Sequence, residues 1–253
     1  GFVGADLENL LNEAALLAAR RNKKAITMAE IEEATVKVIV GTEKKSHKMS
    51  DKEKKLTAYH EAGHAISTYY LESQDPVRQV SIIPRGSAGG YTMSVPTEDK
   101  SYKTKNGMLD DIVVLLGGRV AEKLVLGDIS TGASNDIEQA TAYVRNMITM
   151  YGMSEEFGLM ALETVENQYL DGRRVLNCAD ATAAQIDQVV KETLKKCYEQ
   201  AKQMLSENRE VMDHLAEFLI KEETITGKEF MEIFHKYRLE QMERQVGMDV
   251  SDN

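Results

Sequence analysis

His60-Glu61-Ala62-Gly63-His64 is the stretch on which the reading of this chain turns. Leu56-Thr57-Ala58-Tyr59 leads into it and Ala65-Ile66-Ser67-Thr68-Tyr69-Tyr70-Leu71 leads out. Leu56, Tyr59, Ala62, Ile66, Tyr69 and Tyr70 recur at spacings of three and four, which predicts a helix with one buried face. On such a helix, positions i and i+4 share a face. His60 and His64 can therefore reach one metal ion, with Glu61 beside them facing a bound water. Gly63 is the dissonant residue, since a glycine in a helix interior costs about 1 kcal/mol relative to alanine. Its presence predicts that another backbone or a substrate passes close by.

Two imidazoles and an adjacent glutamate form the H-E-x-x-H arrangement of zinc peptidases, with the glutamate as general base. A catalytic zinc site takes three protein ligands and keeps a position open for water. Of the other histidines, His47 lies in a charged stretch, and His214 and His235 lie in C-terminal helical patterns. Two carboxylates have better settings. Glu122 follows Gly117-Gly118-Arg119-Val120-Ala121, and Asp136 ends Ser130-Thr131-Gly132-Ala133-Ser134-Asn135-Asp136, a Gly- and Ser-rich turn entering a helix. The residues alone separate the two weakly. A glutamate on a helix face is ordinarily solvated, and an aspartate in a first helical turn ordinarily just favours the helix dipole.

These three segments, in this order and rough spacing, resemble the peptidase domain of FtsH, the membrane-anchored AAA+ zinc protease. The resemblance covers nearly the whole chain. It implies that Asp136 is the third zinc ligand, with one Zn²⁺ per chain on His60, His64 and Asp136, and that Glu122 is structural. Asn135 is a candidate hydrogen-bonding neighbour for the ligands. The N-terminal stretch agrees. Gly1-Phe2-Val3-Gly4-Ala5-Asp6-Leu7 opens a helix carrying Leu7, Leu10, Leu11, Ala14 and Leu17, and resembles the end of an AAA+ lid. A second helix follows, with Thr27 and Glu30 at capping-box spacing and Ile31, Ala34 and Val38 continuing the apolar stripe.

The chain lacks a G-x-x-x-x-G-K-[ST] phosphate loop, so this polypeptide is expected not to hydrolyse ATP. ATP and Mg²⁺ belong, on the resemblance, to an ATPase module upstream, together with a membrane anchor. The chain is then a C-terminal fragment of a longer protein. The resemblance further implies a homo-hexameric ring, unfolded polypeptide substrates, and a place at the cytoplasmic face of the bacterial plasma membrane.

The expected fold is mainly α: a helical zinc-peptidase domain with a small β-sheet near the active site, preceded by a short helical remnant of an AAA+ lid. The lid remnant is placed at 1–40, a polar, basic linker at 41–50, the peptidase domain at 51–238, and a polar, disordered tail at 239–253. Val77 to Ile83 is β-rich and stops at Pro84. A glycine-rich turn, 85–90, leads to a second run, Tyr91 to Val95, and these two runs are the clear sheet signal. An exposed strand edge binds extended peptide through its backbone. Gly90, Tyr91 and Thr92 are therefore the candidate substrate-binding residues. Helices are predicted over 109–126, 137–151 with Gly152 as C-cap, 181–205 and 209–222. A last helix, capped by Thr226, carries Phe230, Ile233 and Phe234.

Composition narrows the rest. The net charge of −10 argues against nucleic acid, which needs a basic surface. No run of about 20 apolar residues is present to span a membrane. The 2 cysteines, Cys178 and Cys197, are too few for a disulfide framework, and neither has a histidine nearby in sequence to make it a nucleophile. The mechanism implied is water-mediated peptide cleavage, with Glu61 moving the proton. Tyr59 and Tyr91 are the available candidates for an oxyanion donor beyond the metal. The alternative, from another functional class, is an inactive scaffold that binds unfolded protein. An intact His-Glu-x-x-His with a third ligand speaks against it.

Overall fold

The structure is a computed structural model that describes residues 3–44, 49–86, 88–98, 102–165, 174–237 and 239. The expected tail beyond 239, Ser87 of the glycine-rich turn and the middle of the expected linker (45–48) lie outside the described residues.

The chain opens with a helical hairpin, α1 (Gly4–Arg20) and α2 (Met28–Val40). Leu10, Ala14 and Ala34 form its own small core, separate from the main one. The capping box predicted from sequence is present, with Thr27 N donating to Glu30 Oε2 at 3.1 Å. Glu30 is buried and also accepts from Lys23 Nζ at 2.7 Å and Arg21 Nη1 at 3.0 Å.

The central element is α3 (Asp51–Tyr70). Its start is set by Ser50, whose N–H donates to Glu53 Oε2 at 2.8 Å while Glu53 N donates back to Ser50 Oγ at 3.3 Å. From Thr57 to Thr68 every residue is buried, so the helix runs through the core rather than along the surface. That departs from the one-face pattern of the sequence reading, because α3 is covered on several sides. α4 (Lys105–Leu126), α7 (Arg209–Glu222) and the sheet all pack against it. α6 (Asp180–Glu207) packs on α4 and carries Ile186, Val190, Cys197, Ala201 and Leu205 into the core.

The sheet has strand order β2-β1-β5, with β1 (Val77–Ser81) in the centre, β2 (Tyr91–Ser94) at one edge and β5 (Thr224–Thr226) at the other. Both pairings are antiparallel, with Val80 opposite Thr92 on one side and Ile225 on the other. β5 was not expected from sequence. Its three residues sit between two helices and are too short to show a period. Thr226 ends this strand and caps the final helix (residues 227–237) by accepting from Glu229 N at 3.3 Å. A second hairpin, β3 (Glu163–Val165) with β4 (Arg174–Leu176), is also additional.

Several boundaries shift. α4 starts a turn before residue 109, because Thr104 Oγ1 accepts from Gly107 N at 3.1 Å. α5 runs Ser134–Thr149 instead of 137–151, so it begins within the Ser-Asn-Asp turn and ends before Tyr151. Gly152 has φ +59° and lies in the turn beyond the helix rather than capping it. The β1 run stops at Ser81, where Ile82 N turns to donate to Glu223 O. Among the described residues, no helix is long and apolar enough to cross a membrane.

Candidate active site

Helix α3 presents His60, Glu61 and His64 where α4, β2 and the start of α5 meet. The close approach of α3 and α4 rests on glycines. A Cβ added at Gly63 would lie 2.4 Å from Gly117 O and 2.7 Å from Ala121 Cβ. The dissonant glycine therefore marks a passing backbone, that of α4, and not a passing substrate. One residue further along α4, a Cβ at Gly118 would lie 2.6 Å from both His60 Cε1 and His64 Nε2. The Gly117-Gly118 pair is what lets α4 pass directly beneath the two imidazoles.

Each imidazole is held through its Nδ1. His60 Nδ1 lies 2.8 Å from Glu122 Oε1, and His64 Nδ1 lies 2.8 Å from the Val114 carbonyl. Both partners are acceptors, so each Nδ1 carries the proton and each Nε2 presents a lone pair. The two Nε2 atoms are only 3.0 Å apart, and Asp136 Oδ2 lies 3.4 Å from one and 3.7 Å from the other. One ligand atom from each of His60, His64 and Asp136 falls within 4.8 Å of the others. Three acceptors converging in a buried place repel one another unless a cation sits among them. Two neutral imidazoles and one carboxylate are the donor set of a catalytic zinc site. The residues present therefore fit that metal.

The electrostatics point the same way. Burial works against a charge on His60, yet hydrogen bonds with Asp136 and Glu122 raise its pKa to about 10. Burial also opposes ionisation of Asp136, and the hydrogen bonds from His60 and His64 overcome it, holding its carboxyl below the usual range. Glu61 is 5 % exposed, and burial pushes its carboxyl up while the two histidines pull it down. A carboxylate with a raised pKa beside a cation site is suited to taking and returning a proton.

Glu122 is fully buried, not solvated. It accepts from His60 Nδ1 and also from Ser130 N at 2.8 Å and Ser130 Oγ at 2.9 Å. It thus ties His60 to the loop that leads into Asp136. Sequence reasoning left it as merely structural. The available signal was a lone carboxylate among Val120, Ala121, Leu124 and Val125, one turn after Gly118. Asn135 is exposed, and the orienting positions expected of it are taken by Glu122 and Val114 O.

The candidates on β2 separate. Thr92 Oγ1 donates to Glu61 Oε2 at 2.9 Å, and a Cβ at Gly90 would lie 2.8 Å from Glu61 Oε1. Both therefore touch the glutamate. Tyr91 is buried, and its hydroxyl donates to Gln79 Oε1 at 3.1 Å. The Tyr59 hydroxyl donates to Asp213 at 2.9 Å and burial pushes it up to about 12. Neither tyrosine hydroxyl is directed at the histidines.

Residues 47–233 match the sequence profile of peptidase family M41, and residues 1–33 match that of an AAA+ lid domain. The chain belongs to peptidase family M41. It is 54% identical over 238 residues to ATP-dependent zinc metalloprotease FtsH 1 of Thermoanaerobacter sp. (strain X514), a match covering 93% of this chain and 39% of that protein. It is 51% identical over 236 residues to an FtsH of Caldicellulosiruptor bescii, covering 92% and 38% respectively. To an FtsH of Clostridium perfringens it is 50% identical over 236 residues, covering 93% and 33%. This M41 chain is of mainly α fold and spans about two fifths or less of the length of the curated relatives it matches.

Proposed function

We propose that His60, His64 and Asp136 hold one Zn²⁺, that Glu61 is the general base, and that the chain cleaves peptide bonds in unfolded polypeptide. The observation that carries this reading is the meeting of two Nε2 lone pairs and Asp136 Oδ2, each imidazole fixed through its other nitrogen. Bound there, zinc would acidify a water and polarise the scissile carbonyl. Glu61 would take a proton from the attacking water and pass it to the leaving amine. Thr92 Oγ1 holds Glu61 Oε2 and fixes the orientation in which it does so. Glu122 and Val114 O fix the imidazoles.

The outer edge of β2 is the proposed docking edge, with Gly90 and Thr92 closest to Glu61. Backbone pairing there accepts an extended chain without reading its sequence, which suits a peptidase for unfolded protein. On this reading residues 1–40 are the end of an AAA+ lid, 41–50 a linker and 51–238 the peptidase unit. The relatives are named ATP-dependent, and this chain has no phosphate loop of its own. We therefore assign the driving force to an ATPase module with its own ATP and Mg²⁺ in the longer protein. By its resemblance, that protein is a homo-hexamer anchored at the cytoplasmic face of the bacterial plasma membrane, taking unfolded or membrane-extracted substrates. The scaffold alternative has no feature of its own in its favour, since the groups that cut are complete.

Hydrolysis of a permanently unfolded protein by the zinc-loaded chain tests the proposal. Activity that disappears with chelator and returns with zinc supports it. Full zinc occupancy with no cleavage of unfolded protein or short peptides would favour the scaffold.

A further inference from the structure

Arg119 follows Gly118 on the part of α4 that runs beneath the imidazoles, and precedes Glu122 by three residues. Its side chain is only 13 % exposed. Arg119 Nη2 donates to the Ser130 carbonyl at 2.6 Å, and Nη1 lies 4.0 Å from Glu122 Oε2. Nε is buried and meets no acceptor among the described residues.

Positions i and i+3 of a helix are neighbours on one face. Arg119 and Glu122 therefore meet the same residue of the loop that follows α4. Ser130 N donates to Glu122 Oε2, Ser130 Oγ donates to Glu122 Oε1, and the Ser130 carbonyl accepts from Arg119. The backbone donor, the side chain and the backbone acceptor of one residue are thus all committed to α4. Ser130 Oγ also accepts from Gly132 N at 3.0 Å, which carries the hold to within four residues of Asp136.

The start of α5 has no cap of its own. A side-chain cap commonly fixes where a helix begins, but Ala133 stands at the cap position and supplies none. The turn is closed instead by backbone bonds, Ser134 N to Thr131 O at 3.2 Å and Ile137 N to Ala133 O at 3.0 Å, and by burial of Ala133. Asp136 lies in that first turn. Its carboxylate goes where the loop places it.

We propose that Arg119 is a positioning residue for Asp136: through the Ser130 carbonyl it fixes the loop that brings Asp136 Oδ2 to His60 and His64. The proposal rests on the metal-ligand reading of those three residues.

The chemistry of a guanidinium suits this task. Its donors diverge in a rigid plane, so one arm bonds a carbonyl while another faces a carboxylate, which a lysine ammonium on its flexible stem does not reproduce. A helix arginine without a partner extends its head to water. Arg119 is turned inward, where the Glu122 carboxylate and the Ser130 carbonyl offset its lost hydration. Its bond runs to a loop and not to another core helix, so its loss is felt first at that loop. The site then divides. His60 and His64 are set by α3 together with Glu122 and Val114 O, and Asp136 is set by the loop that Arg119 and Glu122 clamp.

Arg119→Gln, Arg119→Lys and Tyr59→Phe chains would be compared with wild type in three measurements. These are amide hydrogen exchange of the metal-free chain, zinc affinity by competition with a zinc-sensitive dye, and the visible spectrum of the Co²⁺-loaded chain. Tyr59→Phe loses a bond to Asp213, away from the loop, and serves as the control for a general loss of stability. Arg119→Gln should speed exchange selectively over residues 130–137. It should lower zinc affinity about tenfold, the scale for losing an outer partner of a metal site. Its Co²⁺ spectrum should change, because that spectrum reports which ligands surround the ion and in what geometry. Arg119→Lys, which keeps a donor without the fork, should show smaller changes of the same kind. Tyr59→Phe should leave zinc affinity, the spectrum and exchange over 130–137 at wild-type values. Wild-type zinc affinity and spectrum in both arginine variants, or in whichever of them folds, would overturn the assignment. So would faster exchange spread evenly through the core, or the same changes in Tyr59→Phe. A wild-type chain that binds neither metal removes the ligand reading, and the metal-free exchange still judges the clamp.

Discussion

Glu122 and His60 are joined by a 2.8 Å hydrogen bond between a fully buried carboxylate on α4 and the Nδ1 of an imidazole on α3. That bond sets the tautomer of His60 and so decides that its Nε2 faces His64 and Asp136. The same carboxylate accepts two hydrogen bonds from Ser130. One side chain therefore orders His60 and the approach to Asp136.

Glu122→Gln should weaken zinc binding by roughly 10- to 100-fold, the usual cost of losing an outer partner of a metal-bound histidine. Glu122→Ala should cost more, because Ser130 also loses its acceptor. Competition of the purified chain against a zinc-sensitive dye measures this. Wild-type affinity in Glu122→Ala would show that the bond does not position His60.

Two glycine substitutions on the same helix pair should behave differently. Gly63→Ala places a methyl group 2.4 Å from the Gly117 carbonyl, so it should lower stability by about 1–3 kcal/mol, the range for overpacking a core. Gly118→Ala places its methyl group 2.6 Å from the imidazoles. It should reduce zinc affinity at least about tenfold, as displaced ligands do. Thermal melts read the first and zinc titration the second. A Gly118→Ala chain with wild-type zinc affinity would contradict the packing described.

Tyr59→Phe removes a hydroxyl bonded to Asp213, away from the histidines. It should cost about 1 kcal/mol of stability, the net worth of one hydrogen bond, and leave cleavage per folded molecule unchanged. A large drop in turnover at unchanged KM would instead give this hydroxyl a part in the reaction.

Glu30 gives the lid hairpin a pH dependence. Hydrogen bonds from Lys23 and then Thr27 hold its carboxyl well below the ordinary value of 4.5. A depressed carboxylate pKa stabilises the fold above the unfolded value and loses that stabilisation as pH falls toward the folded value. Glu30→Gln should therefore expose α1 and α2 amides to faster hydrogen exchange near neutral pH. The gap from wild type should close on acidification below about 4. A gap that widens on acidification would contradict the assignment.

The pentad at 60–64 carried the site because two histidines four apart on a helix leave little freedom in where a metal goes. Asp136 was legible only through resemblance. Nothing local distinguishes a ligand aspartate from one that favours a helix dipole. That Glu122 bonds His60 was not legible, because burial by a neighbouring helix and a loop is a tertiary fact that its own segment states weakly. The breadth of burial on α3 was missed for the same reason. β5 was missed because a three-residue strand has no period, and its partner β1 lies more than 140 residues earlier in the chain. The capping pairs Thr27 with Glu30 and Thr226 with Glu229 were readable because they are complete within four residues.

The most direct test of the central claim measures bound zinc and cleavage of unfolded protein in the same samples of wild type, Glu61→Gln and Asp136→Asn. The account predicts about one zinc per chain in wild type and in Glu61→Gln, with cleavage only in wild type, and loss of both zinc and cleavage in Asp136→Asn. A wild-type chain that holds no zinc after reconstitution, or a Glu61→Gln chain that still cuts, would contradict it.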